Sequence, residues 1–328
     1  IRRMRTGVLL VDGSGEITTT DSTYNRIILA STSETLVHGA GHTIRGAGDL
    51  LDGVGNLVNE GTILAQGAKA LVIDPSSVCV NRGTLRAEGA GGLSLSSGTY
   101  TNDGHVIDAA TGSKVTLMNG AVLVGGTLAT TGTGQIVPAS GSRLNGVTIA
   151  SGAIVAHPNG AAVTLTDGIV NRGRWLLNGG GITTTLTFSG DQTLGGSGEL
   201  VLTDSTYNRV AMAATSQTLT HGSGHTIRGA GYLLNNTGDL DNYGTILAVG
   251  AKKLIINPYA SFRNLGSGRL GGTGTMALTD GFAANAGTIA PGLSVGTLTI
   301  EGNVSNASSA VFDFELGGTG SGQSDRLA

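Results

Sequence analysis

The side chains best suited to chemistry fall in two near-identical stretches, "HGAGHTIRGAG" from His38 and "HGSGHTIRGAG" from His221. Two imidazoles four residues apart can bind a divalent metal when a third ligand converges on them. Here no cysteine, and no Asp or Glu at a familiar ligand spacing, lies nearby, so no metal is expected. Glycines beside Arg45 and Arg228 can cradle an anion when a helix follows and lends its positive end, and no helix signal follows them. The stretches read as turn chemistry. Gly39, Gly41, Gly222 and Gly224 supply the bend, and Thr43-Ile44 and Thr226-Ile227 open the next strand.

A second set sits in "DSTYNR", at 21–26 and again at 204–209. Cleavage of a polysaccharide needs carboxylates grouped around one bond. Asp21 and Asp204 come one per copy, and Glu60, Glu88, Asp103 and Asp108 are isolated, so catalysis is not expected and no cofactor is implied. Tyr24, Arg26, Tyr207 and Arg209 suit surface contact better, because Tyr and Arg are favoured at interfaces. The partner would be a glycan or a neighbouring rod.

The elements that position these residues follow from repetition. Ser14–Pro75 matches Ser197–Pro258 without a gap at about two thirds of positions. Inside that long repeat runs a shorter one: Asn, any residue, Gly, then a small strand. It begins at Asn59, Asn81, Asn102, Asn171, Asn242, Asn264 and Asn285, with neighbouring members 21 or 22 residues apart. Stepping back 21 residues from Asn59 and Asn242 lands on His38 and His221, so both occupy the asparagine slot. The corner row is therefore expected to hold His38, Asn59, Asn81, Asn102, Asn145, Asn171, His221, Asn242, Asn264 and Asn285.

Between these corners lie short alternating runs such as "SKVTLM", the pattern of a strand buried on one face. No window sustains helical spacing, and 57 glycines among 328 residues would weaken any helix. The expectation is an all-β, right-handed parallel β-helix of about 15 coils of 21–23 residues, a single solenoid over 1–328. Inward aliphatic side chains, each contributing about 1.5–3 kcal/mol, would form its core. Stacked asparagines would add an amide ladder, and each corner glycine would supply unusual backbone angles.

Several partner classes are disfavoured. A net charge of −3, with no basic run and 4% aromatic residues, supplies neither phosphate neutralisation nor base stacking, so nucleic acid is not expected. No apolar run is long enough for a transmembrane helix. A lone Cys79 excludes an internal disulfide framework. The stretch "GGTGSGQSD" at 317–325 lacks the repetition and regular aspartates of a calcium-binding repeat.

The "NxGTI" corners, the "GGTL" and "GSGEL" turns at Gly125 and Gly196, and "GTIAPGLSVGTLTIEGNV" at 287–304 carry a resemblance. With them the chain resembles the β-helical stalks of bacterial autotransporter passengers and filamentous-haemagglutinin-like adhesins. Its end, 285–328, looks like a passenger-associated repeat. The resemblance implies a secreted Gram-negative rod at the cell surface or in the extracellular space, serving adhesion or display without an enzyme domain. Self-association of open strand edges is the expected partner relation. The alternative is a polysaccharide-binding or polysaccharide-degrading β-helix.

Overall fold

The structure, a computed structural model, describes residues 2–4, 7–279, 283–318, 320 and 322–328. Thr319 and Ser321, within the stretch that resembles a passenger-associated repeat, lie outside the described residues. Every regular element among the described residues is a β-strand of five residues or fewer. The strands form because apolar residues occupy alternate positions: Thr35–His38, Asn56–Asn59 and Thr62–Ala65 each run half-buried, buried, half-buried, buried. One face goes to the core and the other to water.

The chain forms two compact units, Ile1–Ala156 and His157–Ala328. In the first, Thr35–His38 pairs in parallel with Asn56–Asn59, which pairs with Val78–Asn81, then Thr99–Thr101, then Val122–Val124. Thr62–Ala65, Thr84–Ala87 and Val106–Ala109 stack in the same way in a second sheet, and Gly48–Leu50, Leu71–Ile73 and Leu93–Ser96 in a third. The second unit repeats the plan. Asp239–Asn242 pairs with Phe262–Asn264 and then with Ala283–Asn285, beside sheets built on Thr245–Ala248 and Leu254–Ile256. This is a parallel β-solenoid. An exception is Arg2–Met4, which lies antiparallel against Val8–Val11.

The chain makes about 13 turns rather than the 15 expected. Loops lengthen some coils, so that Val8 pairs with Thr35 and Glu199 with Thr226, longer steps than the 21 residues from His38 to Asn59. The ends also leave the coil path, with an antiparallel bridge between Leu316 and Ser324.

In each unit the core is built of aliphatic side chains, with Tyr100 among the largest buried in the first and Trp175, Phe188 and Phe262 in the second. The single hydroxyl proton of Tyr100 is shared between the carbonyls of Ile73 and Ser96, whose oxygens lie 2.6 and 2.8 Å away, which lets a polar atom stay inside. The corner glycines are of two kinds: Gly104 and Gly266 have the expected positive φ, +74° and +45°, with open space where a Cβ would sit. Gly61, Gly83 and Gly244 have ordinary backbone angles, but a Cβ on any of them would strike the backbone of the coil before: 2.5 Å from the His42 carbonyl oxygen, 2.1 Å from that of Gly61 and 2.6 Å from that of Gly222. Close approach between coils, not positive φ, demands glycine there.

Candidate functional site

The sequence-derived corner residues are brought together as two separate hydrogen-bonded ladders. In the first unit His38, Asn59, Asn81 and Asn102 are fully or almost fully buried. His38 Nδ1 lies 2.7 Å from Asn59 Oδ1, Asn59 Nδ2 donates to Asn81 Oδ1 at 2.8 Å, and Asn81 Nδ2 donates to Asn102 Oδ1 at 2.7 Å. Asn102 Nδ2 turns to the His105 carbonyl at 3.0 Å, and the ladder stops. The next coil presents Gly125 and Gly126 at this corner, and a Cβ on Gly126 would sit 2.2 Å from Asn102 Nδ2. Glycine has no amide with which to extend the row.

Asn145 is not a rung. It stands half-buried opposite Val124, on the outward side of its strand. The corner had already been handed to glycine one coil earlier, so the 21-residue spacing no longer keeps its phase.

In the second unit the row is longer. His221 Nδ1 lies 2.6 Å from Asn242 Oδ1, and Asn242, Asn264 and Asn285 each donate to the next amide oxygen at 2.8, 2.8 and 2.9 Å, the last received by Asn306. At the other end His221 Nε2 meets His225 Nδ1 at 2.9 Å, and His225 Nε2 meets Asn171 Nδ2 at 3.1 Å. Asn171 lies two coils before His221. The coil between carries Gly195 and Gly196 at this corner, and a Cβ on Gly196 would sit 2.1 Å from the Asn171 carbonyl oxygen.

Elementary donor and acceptor rules fix every proton in this row. Asn242 Oδ1 only accepts, so His221 carries its proton on Nδ1. Its Nε2 then accepts from His225 Nδ1–H, and His225 Nε2 accepts from the Asn171 amide. All donors point one way, and both imidazoles are neutral. The first unit repeats the logic, with His42 Nδ1 3.0 Å from His38 Nε2 and the rings edge-to-face.

Burial reinforces that neutrality. It holds His221 down to about 4 and, with the charge of His221 as a second cause, His225 down to about 3; His38 is lowered by the same burial, partly offset by its bond to Asn59. A further buried histidine, His157, is also held at about 4 by burial, with Nε2 3.1 Å from the Ala161 carbonyl and Nδ1 3.4 Å from Trp175 Nε1. Among the described residues no three His, Cys, Asp or Glu side chains gather into a metal-binding group.

Sequence reasoning missed His42, His225 and Asn306 as rungs. Asn306 was visible as the next 21-residue step after Asn285. The histidine partners sit inside the turn and have no periodic signal.

The "DSTYNR" segments form braced loops. Asp21 Oδ1 accepts the Lys69 backbone N–H at 2.7 Å, and Asp204 accepts those of Lys252 and Ala251 at 2.7 and 3.1 Å. Each carboxylate therefore reaches across 48 residues to hold the loop of a later coil. Asn25 Nδ2 donates to the Thr20 and Ala47 carbonyls, and Asn208 Nδ2 to those of Thr203 and Ala230. On these loops Tyr24 is 90% exposed and Tyr207 44% exposed, so both present an aromatic ring to solvent from a fixed backbone. Arg26 pairs with Asp52 at 2.8 Å and Asp49 at 3.8 Å, whereas Arg209 lies over the Tyr232 ring, 5.5 Å from its centroid.

No family model, no curated protein and no solved structure matches this chain.

Proposed function

We propose that the chain is a non-enzymatic structural or adhesive segment of an extracellular bacterial rod, akin to the β-helical stalks of autotransporter passengers. The single observation that carries this reading is the use made of the best-placed carboxylates. Asp21 and Asp204 are consumed as acceptors of backbone N–H groups, leaving them braces rather than proton carriers. Two of the three acids that line a cleft of about 380 Å³ near the carboxyl end, Asp313 and Asp325, are committed as well. Asp313 pairs with Arg269 at 3.1 Å, and Asp325 accepts from the backbone of Gly296 and Glu315, both at 2.8 Å. Among the described residues no helix is long and apolar enough to cross a membrane. Self-association through strand edges fits this architecture.

The test is paired. Negative-stain microscopy and sedimentation at rising concentration are expected to show rods that associate, while reducing-end release from a panel of polysaccharides stays at background. Sustained cleavage that disappears in Asp21→Ala or Asp204→Ala would reverse the reading. A second reading, polysaccharide binding, is favoured by Tyr24 and Tyr207, because a large aromatic held in water by a braced loop is poised for contact. A glycan array without hits would remove it.

A further inference from the structure

We infer that the second copy of the long repeat carries a binding site for a carboxylate-bearing sugar, centred on Arg209, that the first copy lacks. The inference rests on the polysaccharide-binding reading and assigns it a place and a ligand class.

The two copies act as a control for each other. In the first, Arg26 is neutralised by Asp49 and Asp52. Asp74 belongs to the same acidic group, since burial, Asp52 and then Asp74 push the Asp49 carboxyl up while Arg26 pulls it down. At the corresponding positions of the second copy stand Tyr232, Asn235 and Asn257. Three carboxylates have been replaced by uncharged groups around an arginine that is kept.

The geometry around Arg209 shows the consequence. Its cross-strand neighbours are Thr185 on one side and Tyr232 on the other, neither charged. The guanidinium rests on the Tyr232 ring, and its Nε is buried without a hydrogen-bond partner. With Nε covered, the Nη edge is what remains to meet a ligand, and such an edge receives a carboxylate through two parallel bonds. The charged groups nearby are already engaged. Lys253 Nζ is bound to both oxygens of Glu301 at 2.6 and 2.7 Å, and Asp204 holds backbone N–H groups. Arg209 is thus a half-desolvated cation with no anion of its own.

Tyr207, two residues before Arg209, adds the sugar preference. It stands exposed in the turn just before the strand Asn208–Met212, and two residues of chain span at most about 7 Å, so its ring lies within reach of a ligand held by the cation. Its loop is fixed from beneath, since Asn208 Oδ1 accepts the Gly179 N–H at 2.7 Å. An aromatic surface for the C–H face of a pyranose beside a guanidinium for its carboxylate matches a uronic acid residue within a polymer.

Binding of a hexameric α-1,4-linked galacturonate to the full chain, followed by calorimetry, tests this. One site per chain is expected. Arg209→Gln and Tyr232→Asp, which restores the first copy's carboxylate, should each weaken binding by about tenfold or more, with thermal midpoints unchanged. Arg26→Gln should bind as the parent does, and Asp49→Tyr combined with Asp52→Asn should raise the stoichiometry to two. The methyl-esterified hexamer should not bind. The site assignment is overturned if Arg209→Gln binds normally, if the ester binds equally well, or if acetate at the same carboxylate concentration displaces the hexamer, which would mark a site for free anions. Normal hexamer binding by Arg209→Gln would leave the polysaccharide-binding reading standing, whereas failure of every glycan to bind would remove both.

Discussion

The two copies of the long repeat differ least where they are buried and most where they meet water. The two buried histidine pairs have the same edge-to-face packing at 5.1 Å, and an exposed feature kept alike is tied to backbone: Asp21 and Asp204 grip the same position of a later loop, each at 2.7 Å. Their outer faces diverge, an arginine with carboxylates in one copy and an arginine on a tyrosine in the other. A buried polar row tolerates no partial change, since one lost partner leaves a neighbour unsatisfied inside. A surface charge is free to drift because water replaces whatever is removed.

Acid should expose the largest difference. An unfolded histidine titrates near 6.5, whereas His221 and His225 are held at about 4 and about 3. Between those values the unfolded chain takes up protons that the folded row refuses. Stability is therefore complete above about pH 6.5 and is lost as pH falls toward about 3, by several kcal/mol. Hydrogen exchange of the full chain at pH 7 and pH 4.5, corrected for intrinsic rates, should show protection lost first around Asn242 and Asn264, where His225 has both ring nitrogens engaged. Equal loss around Asn59 and Asn81 would break the comparison.

Removing a rung comes next. Asn264→Ala leaves one Asn242 N–H without an acceptor inside the wall and takes from Asn285 Oδ1 one of its two donors, the Gly287 N–H remaining, at a cost of about 1–3 kcal/mol in urea unfolding. The effect should exceed that of Asn145→Ala, whose side chain is only half-buried and lies on the outward side of its strand. A smaller change is expected at the braces. Asp204→Ala should cost about 1 kcal/mol and raise the exchange of the Lys252 amide without altering the row. Smallest is Arg26→Gln, within about 0.5 kcal/mol, because its ion pairs are exposed. A larger loss would mean that the surface is not free to drift.

Most of the architecture was legible in the sequence, because a solenoid writes its tertiary contacts as a period. Residues 21 or 22 apart become hydrogen-bonded neighbours, so His38, Asn59, Asn81 and Asn102 could be aligned before any strand was placed. What failed was whatever depends on the adjoining coil. Asn145 was assigned to the row because the spacing continued, but Gly125 and Gly126 had ended it. Backbone freedom accounts for the corner glycines Gly104 and Gly266, whereas at Gly61, Gly83 and Gly244 the backbone of the coil before dictates glycine. The service of Asp21 and Asp204 as braces spans two coils and has no local mark. The paired tyrosines and arginines of the two "DSTYNR" segments are legible in the sequence, but the division into a neutralised Arg26 and an unneutralised Arg209 requires the neighbours across the sheet.

The row from Asn171 through His225, His221, Asn242, Asn264 and Asn285 to Asn306 has a further property, since every donor points the same way. An amide turned around at any rung would set hydrogen against hydrogen on one side and lone pair against lone pair on the other. Seven side chains therefore share a single orientation, as compass needles in a line do, and reversing one means reversing all. The order of the wall is collective, set by which nitrogen of one imidazole keeps its proton.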